Sequence, residues 1–129
     1  MTTWKVLLVD DEEEFVTTLA ERLELRGIEA SIATTGREGL KRVDADPPHV
    51  VVLDVLMPGL GGLDVLEKIR TTHPRVKVIL LTGRGSAYED DERIPLGAFD
   101  YLTKPVNIDE LIQKMRGALD APEVSSGEG

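Results

Sequence analysis

Side chains that could take part in phosphoryl chemistry follow four of the apolar runs of this sequence. They are three carboxylates, one hydroxyl and one ammonium, carried by Asp10, Asp11, Asp54, Thr82 and Lys104. Carboxylates placed close together repel one another unless a cation lies between them. Hard oxygen ligands without histidine or cysteine indicate Mg²⁺. Such an ion suits transfer of a phosphoryl group to Asp54, with Lys104 and Thr82 contacting the phosphoryl oxygens.

The elements that would position these side chains are visible as apolar runs separated by segments with helical spacing. The runs lie at 4–9, 28–33, 49–53, 76–81 and 98–102. After the first, second, third and fifth runs, apolar residues recur at helical intervals, and the alternation predicts a helix after each of the five strands. This alternation predicts an α/β fold, with a parallel sheet between two layers of helices. Because ligands bind beyond the carboxyl ends of parallel strands, the side chains above should meet at one edge of the sheet.

The segment HVVVLDVLMPGLGG at 49–62 contains a predicted central strand. Val50 to Leu53 are aliphatic at consecutive positions, which is typical of a strand covered on both faces. The runs at 4–9 and 76–81 are of the same kind, whereas 28–33 alternates as an edge strand does. Asp54 would therefore stand at the end of a buried strand. Pro58 and the glycines after it would let the following loop turn beneath the carboxylate.

The composition limits the classes of function. The chain has 129 residues, of which 41% are hydrophobic and 30% charged, as expected for one globular domain. A formal charge of −9 without a basic cluster predicts no direct nucleic-acid binding. Cysteine is absent, which excludes disulfides and thiolate sites and is compatible with a reducing compartment. No segment reaches the roughly 20 apolar residues of a membrane helix, so we expect a cytoplasmic protein that does not bind membranes.

The two least regular segments lie late in the chain. Residues 86–96 have few apolar anchors, an acidic cluster and Pro95, so we expect the fourth helix to be short or mobile. The last helix has a capping box at Asn107 and Glu110, which is a plain start signal. Residues 121–129 are small and polar, and we interpret them as a disordered tail or linker after a single domain at 1–120.

In these features the sequence resembles the receiver domain of two-component response regulators. The shared motifs are VDD at 9–11, D-x-x-M-P-G-x-x-G beginning at Asp54, LT at 81–82 and GAFDYLTKP at 97–105. Each is common by itself, but their order and their placement at strand ends make the resemblance specific over about residues 4–119. It implies a flavodoxin-like, doubly wound sheet of five parallel strands in the order 2-1-3-4-5, with five helices in a three-layer sandwich.

The resemblance implies that Asp54 accepts a phosphoryl group in an Mg²⁺-dependent reaction. The donor would be the histidine of a sensor kinase or of a phosphotransfer protein. Asp11 and Asp54 would ligate the ion together with the backbone carbonyl of Leu56. Asp10 would act through a metal-bound water.

The resemblance also assigns residues that respond to phosphorylation. Lys104 would bind the phosphoryl oxygens, and its peptide bond to Pro105 would be cis. The Thr82 hydroxyl would be drawn to the same oxygens while the Tyr101 ring turns inward. The face formed by the fourth helix, the fifth strand and the fifth helix would then change its affinity for an output domain, a partner or a second copy of the chain. The protein would be a switch that takes part in its own phosphorylation and dephosphorylation, and not an enzyme with a separate substrate.

Each site residue also has a purely structural interpretation. Asp10 and Asp11 could cap a helix, and Asp54 could merely end a strand. Thr82 and Tyr101 suit a strand, and a lysine such as Lys104 is usually solvated. Their shared position at strand ends favours the functional interpretation.

Other functions compete with the receiver interpretation. A Mg²⁺-dependent aspartyl phosphatase of the haloacid dehalogenase kind would need a second acid two residues after its nucleophile, where this chain has Leu56. A flavodoxin-like electron carrier would need a hydroxyl-rich phosphate loop after the first strand, where this chain has DDEEE. A degenerate receiver would bind partners without phosphorylation, but the key positions give no sign of such a loss.

Overall fold

The computed structural model describes residues 4–83 and 97–120, which fold into a parallel sheet covered by helices. The strands are β1 (Lys5–Val9), β2 (Glu29–Ala33), β3 (Val50–Asp54), β4 (Lys77–Thr82) and β5 (Asp100–Thr103). The helices are α1 (Glu13–Leu25), α2 (Gly36–Ala45), α3 (Gly62–Thr72) and α4 (Ile108–Asp120). Here α4 is the last of the helices predicted from the sequence. The predicted fourth helix at 86–96 and the tail at 121–129 lie outside the described residues.

The strands pair in the order β2-β1-β3-β4-β5 and all pairs are parallel, which confirms the predicted topology. β2 and β5 form the edges, and the strands with consecutive aliphatic residues lie at the centre. The chain adds β2 on one side of β1 and then crosses to the other side to add β3. In a doubly wound sheet, this reversal opens a crevice beyond the strand ends.

Two apolar clusters, one on each face of the sheet, join the three layers. On one face α1 and α4 pack against the sheet, and on the other α2 and α3 do so. Alternate residues of β3 belong to opposite clusters, Val50 and Val52 to the first and Val51 and Leu53 to the second. All four are 0% exposed. This explains why the strand has aliphatic side chains at consecutive positions.

Side chains at the starts of α2 and α4 determine where these helices begin. Thr35 Oγ1 accepts a hydrogen bond from the backbone N–H of Glu38 at 3.1 Å. Asn107 Oδ1 accepts one from the N–H of Glu110 at 3.0 Å, as the capping pattern predicted. In the part of the chain that the structure describes, no helix has the length and apolar character needed to cross a bilayer.

Candidate functional site

The side chains singled out in the sequence meet at the carboxyl edge of the sheet. Asp10 follows β1 and Asp54 ends β3. Carboxylate oxygens of Asp10, Asp11 and Asp54 lie within 4.8 Å of one another. Lys104 follows β5, and its ammonium nitrogen is 3.8 Å from Asp54 Oδ2. The structure therefore brings together groups that are far apart in the sequence, while the role of each group stays a prediction.

The Asp54 side chain is almost completely shielded from solvent. It is 6% exposed, and its Oδ1 accepts a hydrogen bond from the backbone N–H of Leu56 at 3.3 Å. Burial raises the pKa of Asp54 to about 6, and the negative charges of Asp10 and Asp11 act in the same direction. The Lys104 ammonium and the Leu56 N–H oppose this rise. In the absence of a divalent cation, ionisation of Asp54 in the folded protein therefore costs stability.

The loop after Asp54 turns back on the strand because of its glycines. Gly59 has a φ of 74°, a conformation that other residues rarely adopt. Gly62 begins α3 so close to β3 that a Cβ on it would lie 2.8 Å from the Cα of Val55. Its N–H donates to the Val55 carbonyl at 3.2 Å. Gly61 has open space around it, so the close approach is specific to Gly62.

Lys104 brings a positive charge to the acids. Its backbone N–H donates to the Thr82 carbonyl at 2.8 Å, and its bond to Pro105 is cis, as the resemblance implied. Its Nζ lies 2.9 Å from Asp10 Oδ2 and 2.6 Å from Glu12 Oε1. Burial lowers the pKa of Lys104, but the hydrogen bond to Glu12 and the contact with Asp10 outweigh it, and the net change is upward. The lysine is therefore charged at neutral pH.

Thr82 and Tyr101, the predicted switch pair, lie on neighbouring strands. Thr82 is 1% exposed, and its Oγ1 has no hydrogen-bond partner among residues 4–83 and 97–120. Buried hydroxyls are normally paired, so this one can serve an incoming acceptor. Tyr101 pairs in register with Leu80, two residues before Thr82, and packs half-buried against the core on the α2 and α3 face.

The acidic cluster has the ligand chemistry of a hard divalent cation. Its donors are carboxylate oxygens of Asp10, Asp11 and Asp54, and Asp10 and Asp54 are buried. Asp10 Oδ2 is buried and faces the Lys104 ammonium at 2.9 Å, so this oxygen already has one cationic partner. The residues therefore fit a metal ion, and the Leu56 carbonyl stays a predicted ligand.

Two contacts of Lys104 were not predicted from the sequence. The pattern DDEEE indicates only an acidic start of a helix, yet Glu12 lies closest to the ammonium. Phe15 belongs to α1 and packs partly buried against the core, and its ring centroid lies 4.7 Å from the same nitrogen. A single sequence carries no signal for either contact, because both depend on where α1 lies relative to the loop after β5.

The sequence matches a known family and its curated members. Residues 6–116 match the family model of the response regulator receiver domain. The uncharacterized transcriptional regulatory protein YkoG of Bacillus subtilis is 41% identical over 114 residues, which cover 88% of this chain and 50% of YkoG. The transcriptional regulatory protein CpxR of Escherichia coli K12 is 42% identical over 115 residues, which cover 89% of this chain and 49% of CpxR. The chain thus spans about half the length of these relatives.

A solved structure agrees with the sequence matches. The crystal structure of a response regulator receiver domain protein from Clostridium thermocellum has a TM-score of 0.82 to this chain at 34% identity. The match covers 91% of this chain and 94% of that one. The strand order that the resemblance implied is present in this chain, and the acids and the lysine of the shared motifs lie together beyond the strand ends. The chain belongs to the receiver domain family of two-component response regulators.

Proposed function

We propose that Asp54 accepts a phosphoryl group and that the added charge switches the affinity of the domain for a partner. The observation that carries this proposal is the position of the Asp54 carboxylate. It is buried, it lies within 4.8 Å of two other carboxylates, and an ammonium nitrogen stands 3.8 Å away. No specific observation favours the phosphatase, the electron carrier or a receiver that acts without phosphorylation.

The transfer forms one bond on Asp54 and breaks one in the donor. A carboxylate oxygen of Asp54 attacks the phosphorus of a phosphohistidine, and the P–N bond breaks with its electron pair retained by the imidazole. Asp54 then carries an acyl phosphate. Lys104 donates hydrogen bonds to the new phosphoryl oxygens, and Thr82 supplies one more from a hydroxyl that has no partner among the described residues.

We propose Mg²⁺ as the cation of the site, with Asp11, Asp54 and the Leu56 carbonyl as direct ligands and Asp10 acting through water. A bound Mg²⁺ would offset the repulsion among the carboxylates and between Asp54 and an anionic phosphoryl group. A backbone hydrogen bond orients Asp10 for this role, because Asp10 Oδ1 accepts a hydrogen bond from the N–H of Glu12 at 2.9 Å. This hydrogen bond fixes the direction of the second carboxylate oxygen.

The switch would change the face that includes β5 and α4. Tyr101 would turn inward as the Thr82 hydroxyl moves to the phosphoryl group. This change alters the affinity for a partner only to the extent that the two conformations make different contacts with that partner. We propose that the same face, together with the predicted fourth helix, also forms a homodimer.

The proposed donors are a sensor histidine kinase or a phosphotransfer protein, since receiver domains work with sensor kinases. YkoG and CpxR are named transcriptional regulatory proteins, and we propose that this domain also controls transcription, through an output that itself contacts DNA.

The domain would occupy residues 1–120, with 121–129 as a linker. We propose a cytoplasmic location, with which the absence of cysteine is compatible. Receiver domains are generally not enzymes with a separate substrate, and we propose that this one takes part only in its own phosphorylation and dephosphorylation.

Incubation with Mg²⁺ and acetyl phosphate tests the proposal. We expect intact-mass spectrometry to show the addition of a single phosphoryl group that hydroxylamine removes, as it does from acyl phosphates. Asp54→Asn should abolish the addition. Asp64→Asn, the same substitution at an exposed position in the first turn of α3, should leave it unchanged. Labelling that persists in Asp54→Asn would identify another residue as the acceptor.

A further inference from the structure

Lys104 is contacted most closely by a residue that has no part in the proposed phosphoryl transfer. Its ammonium nitrogen lies 2.6 Å from Glu12 Oε1, 2.9 Å from Asp10 Oδ2 and 3.8 Å from Asp54 Oδ2. The Phe15 ring lies on the same ammonium, with its centroid 4.7 Å from the nitrogen. The ammonium is thus held toward the start of α1 and away from Asp54.

The backbone between β1 and α1 directs Glu12 toward the lysine. The N–H of Glu12 donates to Asp10 Oδ1 at 2.9 Å, and its carbonyl accepts the N–H of Val16 at 3.0 Å. Glu12 occupies the N-cap position of α1, but its side chain makes no capping hydrogen bond. The carboxylate reaches Lys104 instead. In this ion pair the Glu12 side chain is 60% exposed and the lysine 18% exposed.

We infer that Glu12 is a positioning residue that holds Lys104 in its resting place and competes for it with a phosphoryl group on Asp54. This inference rests on the proposed function of Asp54. An anionic group bonded to Asp54 would draw the ammonium across the present 3.8 Å, and the hydrogen bond to Glu12 would lengthen or break. A contact that is made in the unphosphorylated conformation and lost in the phosphorylated one shifts the equilibrium between them toward the unphosphorylated conformation.

The exposure of Glu12 limits the size of this effect. A carboxylate that is 60% exposed is well solvated in both states, and its ion pair is partly screened. Asp10 also retains its attraction for Lys104 when Glu12 is neutralised. We therefore expect removal of the Glu12 charge to strengthen binding of a phosphoryl mimic by about two- to fivefold.

Beryllium fluoride, which binds an aspartyl carboxylate as a phosphoryl mimic, tests the inference. It would be titrated at saturating Mg²⁺ into wild type, Glu12→Gln and Glu13→Gln, with the bound species followed by fluorine NMR. Glu13→Gln removes the same charge from the next residue of α1, which is also exposed. We expect Glu12→Gln to bind about two- to fivefold more tightly and Glu13→Gln to match wild type. Glu12→Asp, which keeps the charge on a shorter side chain, should lie between wild type and Glu12→Gln.

A double-mutant cycle separates positioning of the lysine from a general loss of negative charge. In a Lys104→Met background, Glu12→Gln should have no further effect, because it acts through the lysine. A Glu12→Gln affinity no higher than that of Glu13→Gln, or a gain that persists in Lys104→Met, would overturn the inference. A different result would contradict the proposed function of Asp54. In that case wild-type protein would neither bind beryllium fluoride nor take up a phosphoryl group.

Discussion

Replacing Asp54 by asparagine should stabilise the metal-free protein at neutral and higher pH. Burial, with the charges of Asp10 and Asp11, raises the pKa of Asp54 from 3.8 to about 6. Above this pH the folded protein holds an ionised carboxylate that is better solvated in the unfolded chain. Asparagine has nearly the same shape, stays neutral and can accept the hydrogen bond that the Leu56 N–H donates.

The magnitude and the pH dependence follow from this pKa. The rise from 3.8 to about 6 corresponds to about 3 kcal/mol. Movement of Lys104 toward Asp54 and entry of water reduce this figure, so we expect a gain of about 1–3 kcal/mol in the free energy of unfolding at about pH 8. A raised pKa in the folded state contributes stability that is complete below pH 3.8 and is lost as the pH rises through about 6. The advantage of asparagine should therefore shrink as the pH falls from about 7 to about 4.

Equilibrium unfolding in urea, followed by circular dichroism with EDTA present, measures this difference at each pH. Asp64→Asn makes the same substitution at an exposed position of α3 and should change the free energy of unfolding by less than about 0.5 kcal/mol. Saturating Mg²⁺ should stabilise wild type more than Asp54→Asn and so narrow the gap. A gain that does not depend on pH, or a loss of stability in Asp54→Asn at about pH 8, would refute the electrostatic account of the site.

Three further substitutions test individual contacts of the site. Asp11→Asn should weaken Mg²⁺ binding by about tenfold or more in isothermal titration calorimetry, and unchanged affinity would remove Asp11 from the metal ligands. Trp4 fluorescence is a poor readout for this titration, because Trp4 precedes β1 and the acids follow it. Thr82→Val removes a buried hydroxyl that has no hydrogen-bond partner in the described part of the chain, and it should raise the free energy of unfolding by about 1 kcal/mol. Any loss of stability in urea would contradict that account. Gly62→Ala should lower the free energy of unfolding by about 1–3 kcal/mol, because its Cβ would lie 2.9 Å from the Val55 carbonyl oxygen and would also clash with the Asp54 carbonyl at the end of β3. Gly61 has open space around it, so Gly61→Ala should lower the free energy of unfolding by less. Equal effects of the two substitutions would contradict the close approach of Gly62 to β3.

The sheet and the convergence of the acidic side chains could be predicted from the sequence because both follow from local patterns. Consecutive aliphatic residues such as Val50 to Leu53 predict a strand covered on both faces, and strands that alternate with helices pair in parallel. Parallel strands bring their carboxyl ends to one edge, so Asp10 and Asp54 converge once the strands are assigned. The ends of the strands were predicted less accurately than their order. β5 begins at Asp100, two residues after the expected 98, because the ends of a strand depend on hydrogen bonds to its neighbour.

Tertiary structure alone decided how charge and burial are distributed within the site. The sequence predicted Lys104 beside the acids but not its closest partner, which is Glu12 at 2.6 Å and not Asp54 at 3.8 Å. It also gave no sign that the Thr82 hydroxyl would be buried without a hydrogen bond to any described residue. A long, flexible side chain selects among partners by differences of about 1 Å, and desolvation depends on every neighbouring atom. Neither quantity is contained in the spacing of residues along the chain, so both appear only when the strands and loops have packed together.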